Sequence, residues 1–381
     1  MHIVAIGDIG VVDDMIHIGD EAMFEQLVAE VRARGIGEIV ALSSAPSDTA
    51  DRYGVRSIAR IGFSGARAEM TERMRRVLAG ELGPGDPALD VIAAVESSAG
   101  VAIAGGGNMT SLWPLHIYER ATLGALAARA GVPLVVSGQT IGPQLSEPDA
   151  ALVTRLLASA RLVGVRESAS LALVRSLGID HATLTIDDAS YLPVDSPPEA
   201  RCLVTLAGHV GDHDREAFVG AVAALLDDVA TSTGLEIVFS PHFGSTRAGE
   251  VRGDSVMHAD VARRLTAPSR EIPATHAARS GVLARSAALV ISSRYHPAVF
   301  AVPGGVPTIG IAVDDYTTVK LTGALGNFNQ SSVLDAADLI SGEGRALLAR
   351  VWRNRDAIRA GVPHRQYESA QWWSSVAATF S

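Results

Sequence analysis

The stretch ISSRYHPAVFAVPGGVPTIGIAVDDYTTVK, residues 291–320, contains two apolar runs separated by a short helical segment. The first run has the composition of a buried strand and ends in Arg-Tyr-His, after which Pro297 marks the start of a helix. Two glycines precede the second run, which is followed by two acids and by Lys320, the only lysine in the chain. A strand, a helix and a second strand in this order predict parallel strands with helices packed on them.

The same alternation extends over most of the chain, since short apolar runs that end in Gly, Ser, Thr or Asp alternate with helical segments rich in Ala, Leu and Arg. The predicted strands are HIVAIGD, EIVALSS, VAIAGGG, PLVVSGQT, RLVGVRE and TLTIDD in the first half, and RCLVTLAG, EIVFSPH, ALVISSR and PTIGIAV in the second. The sequence therefore predicts an α/β protein with two doubly wound, Rossmann-like domains that face a cleft.

The sequence also predicts where these domains begin and end. A chain of 381 residues is too long for one ordinary domain and fits two of roughly 150 to 200 residues. The segment VDSPPEA, residues 194–200, combines two prolines with acids and a serine, so it is the best linker candidate. We expect one Rossmann-like domain over 1–195, a second over 196–335, and a helical tail over 336–381. The tail should pack back on a domain, because its three tryptophans would be costly to expose.

The composition excludes several classes of protein. Hydrophobic residues make up 48% of the chain, whereas disordered proteins have low hydrophobicity. A net charge of -10 argues against nucleic-acid binding, which depends on many basic side chains. The single cysteine, Cys202, cannot form an internal disulfide, and no apolar run reaches the length of a membrane span. We expect a soluble cytoplasmic protein with no nucleic-acid partner and no transmembrane segment; peripheral membrane contact stays open.

Charged side chains at the strand ends are the candidates for function, because ligands of open parallel sheets bind beyond the carboxyl ends of the strands. Arg166 follows a strand of the first predicted domain, and Arg294 has the equivalent position in the second. Each fits a surface ion pair, but the two across a cleft would suit a small dianion that carries phosphate and carboxylate. His296 lies two residues after Arg294, so strand alternation puts both side chains on one side. Its imidazole can exchange a proton near neutral pH, although a structural role is the alternative.

Other polar groups at strand ends are less specific. AGGGN, residues 104–108, places four candidate binding residues directly after a strand: Gly105, Gly106, Gly107 and Asn108. Their N–H groups fit either an anion at a helix start or a tight turn without a ligand. The acid pairs at 187–188 and 314–315 fit metal binding, proton transfer or capping. The sequence has no metal-site histidine spacing, no GxSxG motif and no P-loop, so we predict neither a metal site nor a serine triad.

Six segments, in this order along the chain, form a wider pattern: GDEAMFEQL, AGGGN, GQTIGP, VRESAS with a later LG, the DD pair at 187–188, and SSRYHPAVFAVPGGVPTIGI. Together they resemble the polysaccharide pyruvyl transferase family over roughly residues 4–325. The resemblance implies a two-domain architecture similar to that of GT-B glycosyltransferases. It also implies phosphoenolpyruvate as the donor and a pair of sugar hydroxyls on a polysaccharide or lipid-linked glycan as the acceptor. The product would be a pyruvate ketal, and no cofactor is implied.

The resemblance also implies roles for individual residues. Arg166 and Arg294 match the arginines expected to hold the donor, and His296 matches the histidine placed to protonate it. Asp20 is a candidate base for a sugar hydroxyl. Lys320 is a candidate for contact with the donor phosphate or with the acid pair at 314–315, since a compact ammonium differs from the wide fork of an arginine.

One position departs from the family pattern, and two other functions stay open. His17 stands two residues before Gly19, where the family often has Asn, which bears on the acceptor. The first alternative is a nucleotide-sugar glycosyltransferase or epimerase of the same architecture, in which the same loops would bind a diphosphate. The second is a non-catalytic protein that senses a sugar or a phosphate.

Overall fold

Strands and helices alternate along the chain as predicted, in a computed structural model that describes residues 2–192, 197–247 and 249–381. Residue contacts divide the chain into two units. The first consists of Met1–Val12, Met23–Asp188 and Arg365–Ser381, and the second of Asp13–Ala22 and Ala189–His364. The boundary predicted at 195/196 and part of the predicted linker lie at 193–196, outside the described residues.

The first unit is built from strands and helices in alternation. Its strands are β1 His2–Ile6, β3 Glu38–Ser43, β4 Arg56–Ala59, β5 Gly100–Ile103, β6 Gly106–Met109, β7 Leu134–Ile141, β8 Leu162–Val165 and β9 Ala182–Leu184. Its helices are α2 Pro46–Tyr53, α3 Arg67–Ala79, α4 Pro87–Glu96, α5 Pro114–Ala130, α6 Glu147–Ser159, α7 Ser168–Ser176 and α16 Gln366–Thr379. Helix α1, Ile18–Ala33, starts in the second unit and ends in the first.

These eight strands form one parallel sheet. Their order is β4-β3-β1-β5-β7-β8-β9, and β6 pairs with β7 beside this row. The first six strands of the row have the order of a Rossmann fold. In this fold, successive strands are added on one side of the first strand and then on its other side. Here this change of side lies between β1 and β5, so the loops that follow these two strands border the topological switch point.

Helices cover both faces of this sheet. Along β1, Val4 and Ile6 point into a core that contains side chains of helices α3 to α6, while Ile3 and Ala5 point into a core on the opposite face. The second core contains Trp373 from α16, which is only 1% exposed. The last helix of the chain is therefore part of the core of the first unit.

The second unit repeats the alternation. Its strands are β2 Met15–His17, β10 Arg201–Thr205, β11 Glu236–Phe239, β12 Phe243–Ser245, β13 Ser269–Glu271, β14 Leu289–Ser292, β15 Thr308–Ala312 and β16 Val333–Asp335. Its helices are α8 Arg215–Thr233, α9 Asp254–Ala262, α10 Ala277–Ser286, α11 Tyr295–Ala301, α12 Asp315–Gly326, α13 Ala336–Ile340, α14 Gly344–Arg353 and α15 Arg355–Ala360.

Six of these strands form a parallel sheet in the order β13-β11-β10-β14-β15-β16. Numbered by their order along the chain, they run 3-2-1-4-5-6, the order of the Rossmann fold, with the switch point between β10 and β14. A separate antiparallel ribbon joins β2 to β12 and pairs His17 with Phe243. The predicted fold class, α/β with two Rossmann-like parallel sheets, is confirmed.

Ten strands were predicted, and a strand overlaps each of them. The strands that the sequence did not reveal are short, such as β4, β13 and β16, or belong to irregular pairs, such as β6 and the β2–β12 ribbon. No helix among the described residues has the length and apolar character needed to cross a bilayer.

The packing of α16 generates a stability prediction. Trp373→Ala should lower the free energy of unfolding by about 3–5 kcal/mol, because the substitution leaves a large cavity in a close-packed core. Chemical denaturation followed by fluorescence or circular dichroism measures this. Tyr367→Ala is the matched control on the same helix; Tyr367 is 73% exposed, and its loss should change stability by about 0.5 kcal/mol or less. Equal effects of the two substitutions would contradict the docking of α16.

Candidate functional site

The switch point of the second unit carries the Arg-Tyr-His motif. Strand β14 ends at Ser292, whose Oγ accepts a hydrogen bond from the N–H of Arg294 (3.0 Å) and donates one to its carbonyl oxygen (2.8 Å). This turn lets α11 begin at Tyr295, so Arg294 and His296 flank the helix start. The side chains of both residues are half-buried and open to solvent.

A buried carboxylate orients Arg294. The Nε atom of Arg294 lies 3.1 Å from both oxygens of Asp254, and Nη2 lies 2.6 Å from Oδ1. The Asp254 side chain is wholly buried, while that of Arg294 is 33% exposed. Because the carboxylate binds one edge of the guanidinium, the rest of the fork is held in one orientation at the carboxyl end of β14.

The same carboxylate also holds the loop after β11. Oδ2 of Asp254 accepts hydrogen bonds from the backbone N–H of His242 (3.1 Å) and of Phe243 (2.9 Å). The carbonyl oxygen of His242 in turn accepts from the N–H of Ile18 (3.0 Å), at the first residue of α1. Asp254 therefore connects Arg294 to the loop that receives the start of α1.

His296 packs directly against this helix start. A Cβ atom placed on Gly19 would lie 1.7 Å from Nδ1 of His296, so only glycine allows this approach. Asp20, the candidate base, follows in the first turn of α1 and is half-buried. His17, the departure from the family pattern, stacks on Phe243 with ring centroids 4.2 Å apart. The imidazole of His296, the candidate proton donor, thus packs against the backbone of Gly19.

Lys320 belongs to the same unit. Its Nζ donates to the hydroxyl of Tyr316 (3.0 Å) and lies 4.9 Å from the ring centroid of Tyr295. The Tyr295 ring lies 5.0 Å from the ring of His296. Of the acid pair, Asp314 caps α12 by accepting from the N–H of Thr317. The ammonium therefore contacts the aromatic side chains of Tyr316 and Tyr295, and its contact with a donor phosphate or with the acid pair stays a prediction.

A second histidine, His242, lies close by. It is 5% exposed, and its ring lies 5.7 Å from that of Phe300, which is 6.0 Å from the ring of His296. Burial, together with positive charge on His296 and Arg294, lowers the pKa of His242 to about 3, although Asp254 opposes the shift. The imidazole of His242 is therefore uncharged near neutral pH.

Arg166 has a very different environment in the first unit. Its guanidinium is wholly buried and donates to Thr140 Oγ1 (2.9 Å), Glu167 (3.1 Å) and Asp187 (2.5 Å). To contact a donor directly, Arg166 would have to break some of its hydrogen bonds to Glu167 and Asp187. The predicted clamp with Arg294 stays a prediction, and the described structure gives Arg166 a buried ion-pair network.

The neighbouring acid, Asp188, is held at the carboxyl end of the first sheet. It accepts from the N–H of Gly105 (3.2 Å) and from Ser137 Oγ (2.9 Å). Burial and, less strongly, the charge of Asp187 raise its pKa to about 7, while the hydrogen bonds from Ser137 and Gly105 and the charge of Arg166 oppose the shift. Gly138 has a φ of +49°, and a Cβ there would lie 2.9 Å from this carboxyl group, so close approach requires glycine.

The interpretation of AGGGN as a helix start is wrong. Gly106, Gly107 and Asn108 form strand β6, which pairs with β7, and the next helix begins only at Pro114. Short apolar runs and glycines do not distinguish a strand from a loop. Asn108 is 8% exposed, and its Oδ1 has no hydrogen-bond partner within the described ranges. Substrate binding by these four residues stays a prediction.

Cys202 has the environment of a structural residue. Cys202 lies in β10 with no exposed surface, and burial raises the pKa of its thiol above its ordinary value, which disfavours the thiolate. Among the described residues, no group of three or more His, Cys, Asp and Glu side chains is placed to hold a metal ion.

The comparison with protein families agrees with the motif order. The family model for polysaccharide pyruvyl transferase matches residues 17–315, more than three quarters of the chain. The chain therefore belongs to the polysaccharide pyruvyl transferase family, a family of transferases. No match was found among curated proteins.

Solved structures support the fold. A Listeria monocytogenes protein assigned as a UDP-N-acetylglucosamine 2-epimerase has a TM-score of 0.64 and 14% identity, and covers 100% of this chain and 96% of its own. UDP-GlcNAc 2-epimerase from Neisseria meningitidis, bound to UDP-GlcNAc, has a TM-score of 0.61 and 8% identity. The alignment covers 100% of this chain and 99% of the epimerase chain. The enzyme of the same name from Methanocaldococcus jannaschii has a TM-score of 0.55 and 11% identity. The alignment covers 90% of this chain and 91% of that enzyme's chain. Identities this low show a common fold alone.

The structure places some predicted residues together and adds others. Arg294, His296, Asp20 and Lys320 all belong to the second unit, whereas Arg166 and the segment 105–108 belong to the first. Sequence analysis missed Asp254, because it is the first residue of α9 and lies 40 residues before its arginine partner. His242 is the last residue of the predicted strand EIVFSPH, and sequence analysis assigned it no role.

Arg166→Ala should destabilise the protein by about 3–5 kcal/mol, because Asp187 and Glu167 would stay buried without their cation. Urea denaturation at constant pH measures the loss. Arg75→Ala is the matched control; this arginine pairs with Glu72 and Glu81 on the surface, where ion pairs contribute little, so its removal should leave stability close to that of the wild type. Wild-type stability in Arg166→Ala would contradict the buried network.

Asp188→Asn should gain stability over the wild type as the pH rises. Between pH 5 and pH 7 the unfolded Asp188 is ionised while the folded one keeps its proton, so wild-type stability falls as pH rises towards the folded pKa of about 7. The asparagine lacks this dependence, and the difference should grow by about 2–3 kcal/mol from pH 5 to pH 8. Denaturation at several pH values measures it. Exposed Asp51→Asn, the control, should show no such trend, and a constant difference for Asp188→Asn would contradict the raised pKa.

Proposed function

We propose that the protein transfers the pyruvyl group of phosphoenolpyruvate to two hydroxyls of a sugar on a polysaccharide or lipid-linked glycan, forming a pyruvate ketal. Membership of the family supports transfer to a polysaccharide. The observation that carries the proposal is the pairing of a half-exposed arginine, fixed by a buried carboxylate, with a half-exposed histidine two residues further on. An oriented guanidinium suits a carboxylate or phosphate of the donor, and the imidazole suits proton transfer.

The chemistry assigns one step to His296. Its imidazolium gives a proton to the methylene carbon of phosphoenolpyruvate, which becomes a methyl group, and C2 takes on oxocarbenium character. A sugar hydroxyl attacks C2 and loses its proton, for which Asp20 is the proposed base. The C2–O bond to phosphate then breaks, phosphate leaves with the electron pair, and the second hydroxyl closes the ketal as it loses its own proton. Arg294 stabilises the donor and the departing phosphate.

Two further cations have supporting roles in this proposal. Lys320 adds positive charge beside Tyr295 and His296, which favours an anion at this end of the sheet. Arg166, buried among Thr140, Glu167 and Asp187, supports the loops after β7 and β9 from within the first unit, and its contact with the donor stays a prediction.

Donor discrimination tests the proposal. Phosphoenolpyruvate should raise the melting temperature and bind in titration calorimetry, because a ligand of the folded state stabilises it by mass action. With a panel of cell-surface glycans, it should also release phosphate and form a ketal. Stabilisation by a nucleotide sugar and not by phosphoenolpyruvate would support the epimerase or glycosyltransferase alternative. Binding without turnover on any glycan would favour a sensing role.

Binding and chemistry should separate between the two motif residues. Arg294→Ala should weaken phosphoenolpyruvate binding by roughly tenfold to a hundredfold, because a charge-assisted contact is lost. His296→Ala should bind within a few fold of wild type, while turnover at saturating donor falls by roughly a hundredfold or more. Calorimetry and phosphate release measure the two effects.

The control is His181→Ala, an exposed histidine of the first unit that should leave both quantities unchanged. Most of the turnover surviving in His296→Ala would make His296 structural, and unchanged affinity in Arg294→Ala would remove the arginine from the donor site.

A further inference from the structure

Two histidines of the second unit are deeply buried, and their hydrogen bonding differs. His258 is 1% exposed and both of its ring nitrogens are occupied: Nε2 accepts from the N–H of Leu206 (3.0 Å), and Nδ1 lies 2.7 Å from Glu271. His242 is 5% exposed, and neither Nδ1 nor Nε2 has a hydrogen-bond partner within the part of the chain that the structure describes. The hydrogen bonds of His258 therefore give it a structural role, whereas the ring of His242 makes none among the described residues that would give it one.

The unsatisfied ring is costly to the folded protein. A neutral imidazole carries one N–H donor and one acceptor nitrogen, and a buried polar atom without a partner destabilises the folded state. A phenylalanine of similar volume would avoid that cost beside Phe300. Groups of this kind in folded proteins usually meet a partner that the protein itself does not supply, such as a ligand or a bound water.

The surroundings of His242 favour an anion as that partner. Its backbone is fixed at both ends, by Asp254 at the N–H and by Ile18 at the carbonyl oxygen. Positive charge on Arg294 and on His296 acts on the ring and opposes its protonation. The nearby carboxylate of Asp254 is already bound by Arg294 and by two backbone N–H groups.

We propose that His242 is a further donor-binding residue, whose uncharged ring N–H donates a hydrogen bond to a carboxylate or phosphate oxygen of the anion that Arg294 also contacts. This inference rests on the proposed function and adds to it a contact from the loop after β11. A neutral donor at this point binds an oxyanion without adding a second charged imidazole next to His296, so His296 keeps its role in proton transfer.

The test compares wild type, His242→Phe, His242→Gln and the matched variant His258→Phe. In the absence of ligand, His242→Phe should melt at or above the wild-type temperature, because the ring makes no hydrogen bond to the described part of the chain that could be lost. His258→Phe should melt several degrees lower, because Leu206 N–H and Glu271 lose their partner. By calorimetry, His242→Phe should bind phosphoenolpyruvate at least about tenfold more weakly, and His242→Gln, which keeps an N–H donor, should recover part of the affinity.

Inorganic phosphate and pyruvate as separate ligands identify the oxyanion, since the one that contacts His242 loses affinity in His242→Phe. Unchanged affinity for phosphoenolpyruvate, phosphate and pyruvate in His242→Phe would overturn the inference and assign the ring to a bound water. A fall in melting temperature as large as that of His258→Phe, with affinity intact, would overturn it as well. Failure of the proposed function is distinct, because the wild type itself would then neither bind phosphoenolpyruvate nor form a ketal.

Discussion

The buried carboxylate of Asp254 is the constraint on which the candidate site depends. It binds the guanidinium of Arg294 and the backbone N–H groups of His242 and Phe243, and its side chain has no exposed surface. Because the His242 carbonyl oxygen receives the first N–H of α1, one carboxylate fixes the end of β14, the loop after β11 and the entry to α1. Unpaired, it would be costly to bury, so arginine and carboxylate require each other.

The two arginines of the predicted clamp show what burial adds to a sequence pattern. Arg166 and Arg294 both follow strands of Rossmann-like sheets, and the sequence gives no reason to treat them differently. In the structure, Arg166 is enclosed by Asp187, Glu167 and Thr140, whereas Arg294 is one third exposed and held along one edge. A guanidinium with a solvent-accessible edge is suited to binding a ligand, whereas one surrounded by carboxylates is suited to stabilising the fold.

The sequence predicted the parts of the fold that local patterns determine. Apolar runs such as HIVAIGD and ALVISSR correspond to β1 and β14, and the positions of Arg294 and His296 after β14 followed from strand and proline signals alone. It could not reveal Asp254, whose role arises from a contact across 40 residues. Nor could it reveal that the ring nitrogens of His242 have no hydrogen-bond partner among the residues that the structure describes. AGGGN was misassigned because glycine permits strand, turn and helix entry alike.

Proton delivery to the methylene carbon of phosphoenolpyruvate is the central claim, and the reaction in D₂O tests it most directly. With an accepted glycan, nuclear magnetic resonance and mass spectrometry of the product should show a ketal whose methyl group carries one deuterium from solvent, with one inorganic phosphate released per ketal. A product that keeps the carbon–carbon double bond would mean enolpyruvyl transfer, in which the methylene carbon retains no added proton. That product, or phosphate release with no ketal formed, would contradict the account.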